Sequence, residues 1–236
     1  MEIKVNSVRD QVYERMHEMI LDGALLPGAR LDLNQLVAMF GVSKTPINEA
    51  VQKLIQDRLL HVRPRSGTFV SVLNLDEIDM TFDFRIALEI GAADRIVARL
   101  TDASLADIRD AQARMRELVS AIDPESSRDF LRLDAEFHDR IIAAAGNELL
   151  LEHYRQVNTL SAVARARGRF APATFEAAMA DHEAILDALE ARDRDGFRAA
   201  CQVHVDRAKL RLRAALAAHD TAAAAGAGPE PVSPTR

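Results

Sequence analysis

With 236 residues, of which 48% are apolar and 28% charged, the chain has the composition of a globular protein with one large or two ordinary domains. Its single cysteine, Cys201, excludes an internal disulfide, and it shows neither an apolar signal segment nor a run of about 18 apolar residues, so we expect a cytoplasmic protein without a membrane span. The net charge of −6 is uneven: of 30 basic and 36 acidic residues, residues 1–74 hold nine and eight, so this part can still present a basic face to nucleic acid.

The first 74 residues combine helical periodicity with a hairpin pattern. Apolar residues recur at helical spacing over 5–22, and shorter helices are predicted over 34–42 and 43–60. The alternating stretch 59–73 contains a turn at "PRSG", which predicts two antiparallel strands. Three helices followed by a two-stranded wing predict a winged helix-turn-helix DNA-binding domain over 1–74.

Three short motifs in this part closely resemble the GntR family of bacterial transcription regulators. They are "PGARL" at 27–31, "GVSKTP" at 41–46 and "RPRSG" at 63–67. The resemblance implies a homodimer on a palindromic operator, with the third helix in the major groove and the wing tip near a minor groove. The residues that it places at the DNA surface are Arg30, Ser43, Lys44, Thr45, Asn48, Arg65, Ser66 and Gly67.

Two of these residues depart from the family pattern. Relatives usually have arginine where this chain has Lys44 and Asn48. Arginine grips guanine with two parallel hydrogen bonds, whereas lysine is a point charge and asparagine prefers adenine. We therefore expect an unusual operator preference or a lower affinity for DNA.

Beyond Asn74, helical periodicity continues to about Ala217, and turn residues interrupt it five times. This pattern predicts about six helices in an antiparallel bundle over 75–217. The segment 218–236 is rich in Ala, Gly and Pro and is predicted to be disordered. The expected fold class is therefore mainly α, a winged helix-turn-helix followed by an all-helical bundle.

The stretch "LDAEFHDRI" places a carboxylate and an imidazole one turn apart, Asp134 and His138, beside an apolar stripe. Single histidines, His182 and His204, occur on two later predicted helices. One carboxylate and three imidazoles can converge inside a bundle and bind a transition metal, which they suit better than calcium or magnesium. The alternative is a buried polar cluster that holds no ion.

The same region resembles the FCD effector domain of FadR-type GntR regulators through "FDFRIALEIGAA", "LDAEFHDRIIAAAGN" and "DHEAILDALEARD". The resemblance implies that Asp134, His138, His182 and His204 are metal ligands, with zinc expected and nickel, manganese or iron as alternatives. It also implies that Arg85 lies at the effector pocket and binds a small carboxylate. The competing interpretation is an ion pair between Arg85 and Glu89, one turn further on.

Three functions are compatible with these patterns. A ligand-responsive transcription regulator uses both the winged helix and the polar cluster. A metal-dependent enzyme would use three histidines and a carboxylate to activate water, but it would not need a winged helix. A purely architectural DNA-binding protein would not need buried polar groups, which are costly to retain without a task. The sequence favours the regulator.

Overall fold

The computed structural model describes residues 7–21, 23–120, 123–166 and 170–226. These residues form nine helices and one two-stranded sheet. In chain order they are α1 (Val8–Leu21), α2 (Leu33–Phe40), α3 (Lys44–Gln56), β1 (Leu60–Arg63), β2 (Gly67–Val70), α4 (Leu75–Arg99), α5 (Asp102–Val119), α6 (Pro124–Ala143), α7 (Glu148–Ala166), α8 (Pro172–Glu190) and α9 (Arg194–Gly226).

Helices α1, α2 and α3 form the predicted helix-turn-helix. Asp32 begins α2 because its carboxylate accepts hydrogen bonds from the amides of Asn34 and Gln35, at 2.9 and 3.1 Å. Gly41 ends α2 in the left-handed conformation, at a φ of 66°, which glycine adopts without strain. Helix α3 packs on α1 through Ile47 and other buried residues, which leaves its opposite face exposed.

The wing is the predicted hairpin with an additional edge. Strands β1 and β2 pair antiparallel, with Leu60 opposite Val70 at one end and Arg63 opposite Gly67 at the other. The loop before α2 pairs with the free edge of β2, since the Leu31 amide donates to the Thr68 carbonyl over 2.9 Å. This pairing brings the loop residue Arg30 beside the wing, opposite Phe69.

The six predicted helices of the second part are present as α4 to α9. Asn74 starts α4 with a capping box, in which it and Glu77 satisfy each other's backbone amides. Helix α5 packs against α6 and α8, while α4 packs against α7 and α9. The bundle core is apolar and includes Phe130, Phe137 and Phe197.

A second apolar core joins the two parts of the chain. Ile78 and Phe82 of α4 pack together with the buried residues of α1, α3 and the wing. The C-terminal end of α7 contributes Val163 and Ala164, and α9 contributes Val205. Helix α7 packs against α1, and α4 and α9 contribute to the same apolar cluster, which we call the shared core.

The end of the chain corrects one prediction. Helix α9 continues to Gly226, nine residues into the segment expected to be disordered. The reason is its alanine content, because alanine has the highest helix propensity of all residues. Residues 227–236 of the predicted tail lie outside the described residues. Within the described chain, no helix is long and apolar enough to cross a membrane.

Candidate metal centre and nucleic-acid interface

The four predicted ligands converge inside the bundle from three helices. On α6, the buried side chains of Leu133, Phe137 and Ile141 fix which face points inward. Asp134 and His138 lie on the edge of that face, and both are buried. His182 of α8 and His204 of α9 are buried opposite them.

The spacing of these four residues suits a single ion. Each offers one ligand atom, and these atoms all lie within 4.8 Å of one another. The Nε2 atom of His182 is 3.3 Å from Oδ1 of Asp134. The ring centroids of His138 and His204 are 4.8 Å apart, and those of His182 and His204 are 4.7 Å apart. We call Asp134, His138, His182 and His204 the four-donor cluster.

The imidazoles of this cluster are buried without satisfying each other. Nε2 of His138 and both ring nitrogens of His182 and His204 have no hydrogen-bond partner among the residues that the structure describes. The 3.3 Å approach of His182 Nε2 to Asp134 does not have the angles of a hydrogen bond. Buried polar atoms are almost always paired, so five unpaired ring nitrogens in one place need an explanation. A divalent ion provides one, because neutral imidazole nitrogen and carboxylate oxygen are among its usual ligands in proteins.

The electrostatics keep the cluster ready to bind a cation. Burial, the Arg85 charge and neighbouring imidazoles hold the pKa values of His138 and His204 well below the usual value. Burial alone would raise the pKa of Asp134, but Arg165 and the adjacent imidazoles lower it well below its ordinary value. The cluster is therefore anionic at Asp134 and neutral at His138 and His204, the protonation states that metal binding requires.

Two further carboxylates stand behind the imidazoles. Oε1 of Glu89 is 3.9 Å from Nδ1 of His138, and Oδ2 of Asp181 is 3.9 Å from Nδ1 of His204. Carboxylates near the second nitrogen of a ligating histidine orient the ring and increase its basicity. No role for Asp181 was predictable from the sequence, and Glu89 was expected only as a partner for Arg85.

Arg85 forms the ion pair with Glu89 and also keeps donors that an anionic ligand could use, the two possibilities that the sequence left open. Its Nε atom donates to Oε1 of Glu89 over 2.8 Å, and both side chains are buried. The Tyr154 hydroxyl donates to the same oxygen over 2.6 Å. Both Nη atoms of Arg85 are buried and lack a hydrogen-bond partner within the described ranges. The ion pair thus occupies one edge of the guanidinium and leaves two donors for another anion.

A second guanidinium, Arg165 of α7, was not foreseen. It forms an ion pair with Oδ2 of Asp134, and only 11% of its side chain is exposed. Its Nε and Nη2 atoms are buried and find no acceptor in the part of the chain that the structure covers. Asp134 therefore turns one oxygen toward His182 and the other toward Arg165.

The predicted DNA-contacting residues fall on two exposed edges. Ser43, Lys44, Thr45 and Asn48 are exposed at the start of α3. Ser43 is the N-cap residue, and its side chain makes no capping hydrogen bond with the described backbone. Its hydroxyl and the first amides of α3 are therefore available to a phosphate.

The other edge is the wing tip. Arg65 is exposed and sits at a φ of 63°, in the turn between the strands with Ser66. Gly67 has a φ of 117°, and a Cβ atom there would lie 2.9 Å from Nε of Arg30. The Arg30 side chain therefore lies directly against the wing backbone, which only glycine permits.

These two parts define a class of protein, a winged helix-turn-helix joined to a helical domain with a buried metal-type cluster. The comparisons agree: residues 8–70 match the gntR family of bacterial regulatory proteins, and residues 79–207 match the FCD domain. The chain belongs to the GntR family of transcription regulators and carries an FCD domain.

Three similar proteins illustrate the relationship. An HTH-type transcriptional regulator "in unstable DNA locus" of Streptomyces ambofaciens is 30% identical over 84% of this chain and 81% of its own length. The HTH-type regulator YdhC of Bacillus subtilis is 26% identical over 78% and 82%. The solved structure of E. coli McbR/YncC superimposes with a TM-score of 0.75 at 23% identity, covering 92% of this chain and 99% of that one.

Membership of the GntR family distinguishes a transcription regulator from the other functions that the sequence left open. The matched families and relatives are transcription regulators, so the alternative of a metal-dependent enzyme was wrong. The four-donor cluster then belongs to a regulatory domain rather than to an active site.

Proposed function

We propose that this protein is a metal-containing regulator that binds a palindromic operator as a homodimer in the cytoplasm and responds to a small carboxylate. The observation that carries the proposal is the four-donor cluster, with its unpaired and buried imidazole nitrogens, in the same chain as α3, whose first residues are exposed. Burying such a set is costly unless an ion or a ligand completes it.

In this proposal Asp134, His138, His182 and His204 hold the ion, with zinc as the expected metal. When bound there, the ion would supply a Lewis-acidic position for one anionic oxygen of the effector. Arg85 supplies the second contact, because its two unpaired Nη atoms match the two oxygens of a carboxylate. Glu89 and Tyr154 hold the Arg85 side chain in place from the other edge.

The route to the DNA-binding domain begins at the same helices. Arg85 and Glu89 lie on α4, whose earlier residues Ile78 and Phe82 belong to the shared core. A ligand that binds one arrangement of α4 more tightly shifts the population toward it, by no more than its difference in affinity. Through the shared core, such a shift changes the orientation of the winged domain.

On DNA, the start of α3 enters the major groove, and the wing tip with Arg65 lies near a minor groove. Two copies of α3 in a dimer contact half-sites about one helical turn apart, roughly 34–36 Å. Phosphate contacts from Arg30 and Ser43 set the position, while Lys44, Thr45 and Asn48 reach the base edges.

A mobility-shift titration on the protein's own promoter tests the DNA part of the proposal. Lys44→Ala removes a charge at the start of α3, whereas Lys53→Ala removes the same charge at its other end, where Lys53 lies 3.8 Å over the Tyr13 ring. We expect weaker binding for Lys44→Ala, with the salt slope reduced by about one if the contact is to phosphate. If Lys44→Ala and Lys53→Ala bind the operator with the same affinity, Lys44 does not contact DNA.

Elemental analysis tests the metal part on the same preparations. We expect about one transition-metal ion per chain in the wild type and a loss of metal in His138→Ala or His182→Ala, because three donors hold a divalent ion poorly. His153→Ala is the matched control, since His153 is an exposed histidine of α7. A wild-type protein without metal that still responds to a carboxylate would contradict the metal centre.

A further inference from the structure

Two buried arginines flank the four-donor cluster, and both have unused donors. Arg85 approaches from α4 and Arg165 from α7, and the charge of each acts on Asp134. Together they bury four nitrogen atoms for which the described residues provide no acceptor: Nη1 and Nη2 of Arg85, and Nε and Nη2 of Arg165. Each guanidinium thus retains two donor atoms for an anion.

The other acids near the cluster are already paired with other cations. Asp139 accepts from Arg155 over 3.1 Å and from Asn158 over 3.2 Å. Asp181 accepts from Arg211 over 3.0 and 3.1 Å, and from Arg207 over 2.7 Å. Arg207 is 62% exposed, so water screens its charge, and Arg211 is the counterion that balances Asp181. Among the acids near the cluster that the structure describes, Glu89 and Asp134 remain to offset Arg85 and Arg165.

Binding of a divalent metal ion would change the net charge of this buried group of residues. Glu89 and Asp134 neutralise the two guanidiniums when no ion is present, but a divalent ion draws on the same Asp134 carboxylate. Neutral imidazole ligands add no negative charge. The loaded site then has two uncompensated positive charges in a buried environment, where charge without a partner is expensive.

Building on the proposed function, we propose that the effector is a small dicarboxylate, with one carboxylate bound by Arg85 and the other by Arg165. Two negative charges match the excess of the loaded site. Two planar carboxylates also match two guanidiniums that each offer paired donors, the geometry in which arginine binds most strongly. A monocarboxylate would leave one guanidinium unpaired, and the loss of a hydrogen bond to a buried charged group weakens binding substantially.

Titration calorimetry on the full-length, zinc-loaded protein tests this proposal with acids of matched chain length. The dicarboxylates are malonate, succinate and glutarate, and the monocarboxylates are propanoate, butanoate and pentanoate. We expect the best dicarboxylate to bind about tenfold to a hundredfold more tightly than its matched monocarboxylate. Zinc content is measured after each titration, so that removal of the metal by the acid is not counted as binding.

Substitutions of Arg165 test whether this residue binds the second carboxylate of the effector. Arg165→Gln should reduce the dicarboxylate preference to about onefold while keeping the affinity for the monocarboxylate, since that acid needs only Arg85. Arg165→Lys keeps a cation facing Asp134 but lacks the fork, and should retain part of the preference. Arg132→Gln is the matched control, because Arg132 lies on the neighbouring helix α6 with 56% of its side chain exposed and pairs only with the exposed Asp129 among the described residues. It should keep the full preference.

The possible results distinguish the dicarboxylate proposal from the small-carboxylate effector of the proposed function, on which it rests. Equal affinities for the two series, with both lost in Arg85→Ala, would overturn the dicarboxylate while the carboxylate effector stands. A preference that survives in Arg165→Gln would overturn the role of Arg165. Failure of both series to bind the loaded wild type would overturn the carboxylate effector itself.

Discussion

Nε of Arg85 donates to Oε1 of Glu89 over 2.8 Å in the interior of the bundle, one turn apart on α4. Oε2 of Glu89 and both Nη atoms of Arg85 remain unpaired within the region described. A buried ion pair that leaves three of its polar atoms without a partner contributes little to stability, because the desolvation of those atoms is not offset. Such a pair suits a binding site, because the unpaired Nη atoms of Arg85 can donate hydrogen bonds to an anionic ligand.

The first prediction concerns the free energy of unfolding. Glu89→Gln leaves the buried Arg85 charge without its counterion, and such changes cost about 3–5 kcal/mol. Urea denaturation should show this loss in the metal-loaded protein. Glu18→Gln is the matched control, because Glu18 pairs with Arg15 at 2.9 Å on the exposed face of α1. That variant should unfold at nearly the wild-type urea concentration, and an equally small effect of Glu89→Gln would contradict the role of the ion pair.

The second prediction is a pH dependence of the metal-free protein. The pKa values of His138 and His204 are well below 6.5 in the folded protein, chiefly because the rings are buried. In the unfolded chain these rings take up protons below about pH 6.5, so the unfolded state then binds more protons than the folded state. Stability should therefore fall as the pH drops from about 6.5 toward the lowered pKa values, by up to about 1.4 kcal/mol per pH unit for each ring.

The control for this dependence removes both rings. A His138→Gln, His204→Gln double variant, also without metal, should lose most of the slope between pH 6.5 and 5. Thermal unfolding at several pH values, with a chelator present throughout, provides the measurement. An unchanged slope in the double variant would mean that other groups cause the acid sensitivity.

Much of the fold was predictable because local signals agreed with the global arrangement. Helical periodicity and turn residues gave six helices for the second part, and the hairpin pattern gave the wing. The four-donor cluster was also predictable, since Asp134 and His138 share a helix face at a spacing of four. Its distant members, His182 and His204, were candidates as single histidines on two later predicted helices, and the resemblance to the FCD domain implied that they are ligands, because no local rule links α6 to α8 and α9.

The contact between Arg165 and Asp134 could not be predicted from sequence patterns. Arg165 lies in "SAVARA" at the C-terminal end of α7, where no motif or periodicity distinguishes it from a surface arginine. Its role follows from the packing of α7 beside α6, which brings it to Asp134 across 31 positions of sequence. The same holds for Tyr154, whose hydroxyl reaches Glu89 across 65 positions. Contacts of this length depend on tertiary packing, which periodicity does not encode.

The third prediction concerns the wing. Gly67→Ala introduces a Cβ atom 2.9 Å from Nε of Arg30, at a φ of 117° that favours glycine. The variant should weaken operator binding in a mobility-shift assay, because Arg30 and the wing tip are displaced together. Gly91→Ala is the control, since a Cβ there meets nothing within 4 Å in the described chain and α4 is helical. It should leave DNA binding intact and raise stability by about 0.5–1 kcal/mol. Normal operator binding by Gly67→Ala would show that this contact does not position the interface.

The last prediction concerns Asn48, which is exposed one turn after Lys44 on α3. Asn48→Arg restores the residue that the resemblance leads us to expect, and arginine contacts guanine through two parallel hydrogen bonds. Selection of binding sequences from a random library should therefore show a gain of guanine at one position of each half-site, with a discrimination of about 1–3 kcal/mol. Asn48→Lys is the matched control, because it adds the same charge without the planar fork and should raise affinity for many sequences alike. If both variants select the wild-type sequences, Asn48 lies away from the bases and the departure from the family pattern has no consequence for recognition.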